Sequence, residues 1–64
     1  MEDYQERVVE EKKELDEKLA KLRAFQLSEK FDDLDNADQY LLNKQANYMD
    51  DYSYILGQRI VRFK

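Results

Sequence analysis

The sequence has no cysteine, histidine, proline or tryptophan, and it contains a single glycine among 64 residues. Without cysteine or histidine the chain has no disulfide framework, no thiol nucleophile, no imidazole base and no ordinary zinc site. Most hydrolytic chemistry is thereby excluded, and we expect a protein that is not an enzyme and needs no cofactor. The absence of cysteine also suits a reducing cytoplasm.

Long hydrophobic runs are absent as well. Apolar residues occur in short runs such as Val8-Val9 and Ile55-Leu56, whereas a helix that spans a bilayer needs roughly 20 apolar residues. The first residues, 1–4, are acidic where a secretory signal is basic. We therefore expect neither a membrane partner nor a secretory signal.

Basic charge is scarce except near the end of the chain. The net charge is −4, from 15 acidic and 11 basic residues, which argues against binding to duplex nucleic acid because such binding depends on neutralising phosphates. The charge is unevenly distributed, since residues 28–38 carry five acids and one base and residues 57–64 carry three bases and no acid. The middle of the chain is acidic and its end is basic.

Apolar residues from Tyr4 to Phe25 recur at spacings of 3, 4 and 7, which predicts a first helix over residues 2–26. The polar residues Glu11 and Lys12 occupy the one turn that this apolar stripe misses. Nearly all the intervening residues are good helix formers.

Capping residues, rather than glycine or proline, interrupt the helical pattern at residues 27–36. Ser28 is placed to cap a single turn that points Phe31 and Leu34 inward. The segment Asn36-Ala-Asp-Gln39 has the spacing of a capping box, in which Asn36 caps the helix and Gln39 reaches back. A second helix is therefore predicted over residues 37–62.

These elements predict an all-α fold, a two-helix antiparallel hairpin that forms one domain over residues 1–64. The second helix carries apolar side chains on two adjacent rows, which together are wider than one partner helix can cover. We therefore expect several copies to assemble into a homo-oligomeric helical bundle. The predicted interface residues are Leu41, Leu42, Tyr48, Met49, Ile55, Leu56, Gly57, Ile60 and Phe63.

Gly57 is expected to mark a bend or a close approach, because a glycine inside a helix costs roughly 1 kcal/mol relative to alanine. The acid-rich residues 32–38 resemble a calcium loop only superficially, since the required glycine and terminal glutamate are missing. We expect a solvated turn there and no metal site.

Tyrosine and arginine residues on the second helix are the candidates for ligand binding. Tyr48 and Tyr52 could stack on a planar ligand such as a nucleobase, or they could simply pack at an interface with their hydroxyls at its rim. Arg59 and Arg62, followed by Lys64, could bind a phosphate through guanidinium forks, or they could simply stabilise the end of the helix.

Four motifs, spread over nearly the whole chain, resemble those of one protein family. They are Tyr4-Gln5-x-Arg7-Val8-Val9-x-Glu11-Lys12-x-Glu14-Leu15, Leu22-x-Ala24-Phe25, Phe31-x-x-Leu34 and Tyr52-Ser53-x-Ile55-Leu56-Gly57-x-Arg59-Ile60. The chain thereby resembles a family of small phage proteins related to one first described in gut crAss-like phages. The resemblance implies a phage accessory protein that acts in the cytoplasm of the infected bacterial host.

Small phage proteins of hairpin architecture include inhibitors of host defence, and some are oligomers that sequester the nucleotide second messengers of antiviral signalling. By this analogy, our leading hypothesis is that a cyclic nucleotide binds between copies of the chain through Arg59, Arg62, Tyr52 and Tyr48. One alternative is an inhibitor or adaptor that docks on a host protein through its apolar or acidic surface. Another is a structural helper without a ligand.

Overall fold

The computed structural model describes residues 1–63, which form three helices and no strand: α1 (Asp3–Gln26), α2 (Glu29–Asp32) and α3 (Asn36–Val61). α1 and α3 pack antiparallel into a rod of 47 × 14 × 13 Å. At the open end of the hairpin, the rings of Tyr4 and Phe63 meet edge to face with centroids 6.0 Å apart. At the closed end, the Gln26 side-chain amide donates to Asn43 Oδ1 over 2.8 Å. The predicted all-helical hairpin is confirmed, and its assembly into a bundle stays a prediction.

The first helix begins one residue after its predicted start. The backbone N–H of Glu2 donates to Gln5 Oε1 over 2.9 Å, which anchors the chain just before α1. Asp3 and Glu6 lie in the first turn, where negative charge interacts favourably with the helix dipole. None of the helices in residues 1–63 is long and apolar enough to cross a membrane.

The connection between the long helices contains the single helical turn predicted from Ser28. The Ser28 hydroxyl accepts a hydrogen bond from the Phe31 N–H over 3.3 Å and thereby caps α2. The Phe31 ring lies edge-on to the Phe25 ring at the end of α1, with centroids 6.1 Å apart. Phe31 and Leu34 are half-buried, as expected for an inward-facing turn.

The cap of α3 lies one residue before the predicted position. Asp35, not Asn36, is the N-cap, and its Oδ1 accepts from the Asp38 N–H over 2.8 Å. A carboxylate is a stronger acceptor than an amide oxygen, which favours Asp35 over Asn36 as the cap. Gln39 does not reach back to the cap, because its amide donates to the carbonyls of Phe31 and Leu34 over 2.9 and 3.1 Å.

The core between α1 and α3 follows a seven-residue repeat, with inward positions at alternating spacings of 3 and 4. On α1 these positions are Gln5, Val8, Lys12, Leu15, Leu19, Leu22 and Gln26. On α3 and just beyond it they are Gln39, Leu42, Ala46, Met49, Ser53, Leu56, Ile60 and Phe63. All are buried or half-buried, and this spacing is that of coiled-coil packing.

The core is thin and partly polar. Among residues 1–63, the buried apolar side chains are Val8, Leu19, Ala46 and Leu56, and burying a large aliphatic side chain contributes roughly 1.5–3 kcal/mol. Polar residues interrupt the core repeat on both long helices. A hairpin with so few buried apolar groups leaves much apolar surface exposed.

Candidate functional site

A second row of side chains runs along the solvent side of α3, one residue before each core position from Leu42 onward. We call it the outer row, and its members are Leu41, Gln45, Tyr48, Tyr52, Ile55, Arg59 and Arg62. All seven are exposed, with 61% of Leu41, 65% of Tyr48 and 54% of Ile55 accessible. Because the core uses the neighbouring row, α1 does not cover this apolar face.

The nine residues predicted at an interface between copies divide between these two sides of α3. Leu41, Tyr48 and Ile55 belong to the outer row. The remaining residues, which are buried or half-buried, are Leu42, Met49, Leu56, Gly57, Ile60 and Phe63. Leu56 is 0% exposed, so within one chain it belongs to the core of the hairpin and offers no surface to another copy. The physical reason is that α1 occupies the row on which Leu56 lies.

An open groove lies on the outer side of α3, with a volume of about 590 Å³. Its lining consists of Leu41, Lys44, Gln45, Tyr48, Met49 and Tyr52. The Lys44 ammonium stands 5.8 Å from the ring centroids of both Tyr40 and Tyr48, within the range of a cation–π interaction. Sequence reasoning missed Lys44, although its spacing of four residues from each tyrosine was a usable signal.

The hydroxyl of Tyr52 is tied to the first helix. It donates a hydrogen bond to the carboxylate of Glu11 on α1. This hydrogen bond to Glu11 raises the pKa of the Tyr52 phenol above its ordinary value, while the positive charge of Arg59 acts in the opposite direction. The residue is 43% exposed, so Tyr52 offers surface for stacking although its hydroxyl is occupied.

Arg59 and Arg62 lie at the end of α3 that carries the basic charge. Arg59 is in the last turn of the helix and Arg62 is its C-cap residue. Both are exposed, and the ion pairs within residues 1–63 are Lys12–Asp16 and Arg23–Asp50, so neither guanidinium has a carboxylate partner there. Lys64, the third basic residue of this group, lies outside the described residues.

The four residues predicted to bind a ligand do not converge on one point of the chain. Tyr48 and Arg62 are 14 residues apart on the helix, or about 21 Å at ~1.5 Å per residue. Tyr52 and Arg59 are seven residues apart, or about 10 Å, which suits a ligand with one aromatic and one anionic group. The outer row therefore contains one Tyr–Arg pair at that spacing, and Tyr48 lies instead beside Lys44.

A polar cluster fills the turn that the apolar stripe of the first helix misses. Lys12 occupies a core position, and its ammonium donates to Asp16 Oδ2 over 2.8 Å and to Ser53 Oγ over 2.9 Å. The Ser53 hydroxyl in turn donates a hydrogen bond to Asp16. The hydrogen bond from Lys12, followed by that from Ser53, holds the pKa of Asp16 below its ordinary value. From the sequence, Lys12 was interpreted as part of the turn that the apolar stripe misses. The repeat of seven residues between core positions would have placed it in the core.

Gly57 sits directly over this cluster. A Cβ atom at Gly57 would lie 3.2 Å from Lys12 Cε, closer than the usual carbon–carbon contact of ~3.5–4.0 Å. The predicted close approach at Gly57 is therefore present, and the approaching group is a side chain of the same molecule.

Across residues 1–63, no acidic side chains group in a way that could hold a metal ion.

Nearly the whole chain matches one known protein family. The model of that family, Sequestin, matches residues 2–62. The chain belongs to the Sequestin family. This confirms the membership in a small protein family predicted from the four motifs, while the phage origin stays a prediction. The family name refers to sequestration, which is compatible with a protein that binds and holds another molecule. No curated protein and no solved structure matches the chain.

Proposed function

We propose that this member of the Sequestin family is a non-enzymatic phage protein that counters host antiviral defence by sequestering a nucleotide second messenger. Its site of action is the cytoplasm of the infected bacterium, and the ligand binds where copies of the chain meet. The observation that carries this proposal is the exposed Tyr52–Arg59 pair, whose members stand about two helical turns apart on the outer row.

The two residues have complementary chemistry for a nucleotide. The accessible ring of Tyr52 offers a face on which a base stacks, which contributes ~1–3 kcal/mol per base. The guanidinium of Arg59 has no carboxylate partner within residues 1–63, and its planar fork matches two phosphate oxygens. Such a site binds a ligand without catalysing a reaction, which is what sequestration requires.

Self-association is part of the proposal because one chain offers only an open surface. The outer row places Leu41, Tyr48 and Ile55 beside the candidate site. A second copy that covers these side chains would remove apolar area from water and enclose the ligand. Light scattering should therefore show a dimer or a larger species at micromolar concentration, and a clean monomer would contradict this part of the proposal.

The direct test is calorimetric titration of cyclic dinucleotides and cyclic ADP-ribose-type signals into the purified protein. Arg59→Lys retains the charge but removes the bidentate fork, so it should weaken binding tenfold or more, since a hydrogen bond to a charged group contributes roughly 1.5–3 kcal/mol. Arg23→Lys is the matched control, because Arg23 pairs with Asp50 away from the outer row. Binding that both variants weaken equally would count against a site at Arg59.

The tyrosine has a matched control on the same helix. Tyr52→Ala removes the stacking face and should weaken nucleotide binding at least fivefold. Tyr54→Ala makes the same chemical change at an exposed tyrosine that lies outside the outer row, and it should leave the affinity unchanged. If the wild type binds none of the nucleotides, the sequestration proposal is lost.

The second candidate function is a protein-binding inhibitor or adaptor, and the groove of about 590 Å³ favours it. The groove is open and largely apolar, as a docking surface for an amphipathic helix would be. In this case Leu41→Asp and Tyr48→Asp should abolish partner binding while no nucleotide binds. A structural helper without a ligand would show neither activity.

A further inference from the structure

The candidate nucleotide site contains an acidic residue that its proposed role does not use. Glu11 on α1 accepts the Tyr52 hydroxyl proton in a hydrogen bond, so a carboxylate lies against the edge of the ring proposed to stack on a base. A phosphate-bearing ligand that lies across Tyr52 must approach this negative charge. A role for Glu11 in ligand binding rests on the proposed function of the Tyr52–Arg59 pair.

The level of Glu11 along the hairpin follows from the contact next to it. The next residue on α1, Lys12, bonds to Ser53, which is the next residue on α3 after Tyr52. The two cross-helix contacts therefore lie at one level of the hairpin, and the Glu11–Tyr52 contact is the outer member of the pair. Because the inner contact sets this register, Glu11 and Tyr52 face each other at the same level of the hairpin.

The two ends of the candidate site carry charges of opposite sign. Glu11 places a negative charge beside Tyr52, and Arg59 places a positive charge about 10 Å further along α3. The charge of Arg59 acts on the Tyr52 hydroxyl in the direction that lowers its pKa, against the larger effect of Glu11. A dipolar arrangement of this kind favours one orientation of a ligand that is neutral at one end and anionic at the other.

We propose that Glu11 is a specificity-determining residue, which excludes phosphate from the Tyr52 end of the site and directs it to Arg59. The base then stacks at Tyr52 and the phosphate binds at Arg59. The same repulsion lowers the affinity for any ligand whose phosphates lie across both ends, so Glu11 selects against compact polyanions. Glu11 thus lowers the affinity for phosphate-bearing ligands and favours one orientation of the bound ligand.

The test compares Glu11→Gln with Glu10→Gln. Both variants remove one negative charge from an exposed residue in the same turn of α1, but Glu10 has no side-chain hydrogen bond or ion pair within residues 1–63. Cyclic di-AMP and inorganic pyrophosphate are titrated into both variants and the wild type at low ionic strength. Glu11→Gln should bind each probe about three- to tenfold more tightly, with the larger gain for pyrophosphate, while Glu10→Gln should change affinity by less than about twofold. Added salt should reduce the gain.

Ultraviolet titration of the phenols provides a readout independent of any ligand. The hydrogen bond to Glu11 raises the pKa of Tyr52, so one of the five tyrosines should titrate late in the wild type and earlier in Glu11→Gln. An unchanged titration curve would show that Glu11 does not engage Tyr52 in solution and would overturn the inference.

The binding outcomes separate the inference from the function on which it rests. If the wild type binds cyclic di-AMP but Glu11→Gln binds no more tightly, or if Glu10→Gln gains as much, the role of Glu11 is refuted while sequestration stands. If Glu11→Gln binds the probes and the wild type does not, sequestration by the wild type is lost, and the orienting role of Glu11 is lost with it. If neither protein binds any probe, sequestration at this site fails and the inference fails with it.

Discussion

Gly57 offers the sharpest test of how the two long helices pack. Gly57→Ala should stabilise a helix by ~1 kcal/mol if nothing opposes the added methyl group. Here the new Cβ would lie 3.2 Å from Lys12 Cε. The Lys12 stem cannot move freely, because its ammonium is bonded to Asp16 at 2.8 Å and to Ser53 at 2.9 Å.

The opposing effects have similar sizes. Displacing Lys12 weakens hydrogen bonds to a charged group, each of which contributes about 1.5–3 kcal/mol when well formed, and the partial exposure of the cluster reduces this contribution. We therefore expect Gly57→Ala to change the free energy of unfolding by between zero and about 1 kcal/mol in the destabilising direction. The helix propensity of alanine is offset by the strain on Lys12.

A double-mutant cycle with Lys12→Ala isolates the contact. Without the lysine stem, Gly57→Ala should be stabilising by the full ~1 kcal/mol, so the two changes should couple by about 1–2 kcal/mol. Lys12→Met serves as a second background, since its unanchored side chain can give way to the methyl group. Urea denaturation followed by circular dichroism, at one protein concentration throughout, measures each free energy. Equal stabilisation by Gly57→Ala in all three backgrounds would refute the reasoning.

Two further predictions follow from burial and charge. Leu56 is fully buried whereas Ile55 is 54% exposed, so Leu56→Ala should lower the free energy of unfolding by about 2–5 kcal/mol. Ile55→Asp should leave the helix content intact and reduce self-association in light scattering. A similar loss of helix in both variants would contradict the assignment of Leu56 to the core and Ile55 to the surface. The pKa of Asp16 is lowered from 3.8 by Lys12 and Ser53, so its contribution to stability is complete above that unfolded-state value and is lost as the pH falls through the folded-state value. Thermal melts below about pH 4 should therefore show a steeper loss of stability for the wild type than for Asp16→Asn, and parallel curves would argue against the cluster.

The sequence alone was sufficient to predict the helices and their antiparallel hairpin. Helix formation depends on local spacing and capping, so the stripe from Tyr4 to Phe25 and the cap at Ser28 could be read directly. The position of the second cap was less certain, because Asp35 and Asn36 both favour that role. In the structure Asp35 is the N-cap of α3. The spacing of the residues does not determine which of Asp35 and Asn36 caps the helix.

Only the tertiary structure decided which face of α3 is covered. The core row and the outer row differ by one residue, and each carries enough apolar side chains to pack against a helix, so periodicity could not separate Leu56 from Ile55. The choice depends on contacts between residues far apart in the chain. Lys12 with Ser53, and Glu11 with Tyr52, are each 41 residues apart. Such pairs leave no local pattern, because their stabilisation exists only once α1 and α3 lie side by side.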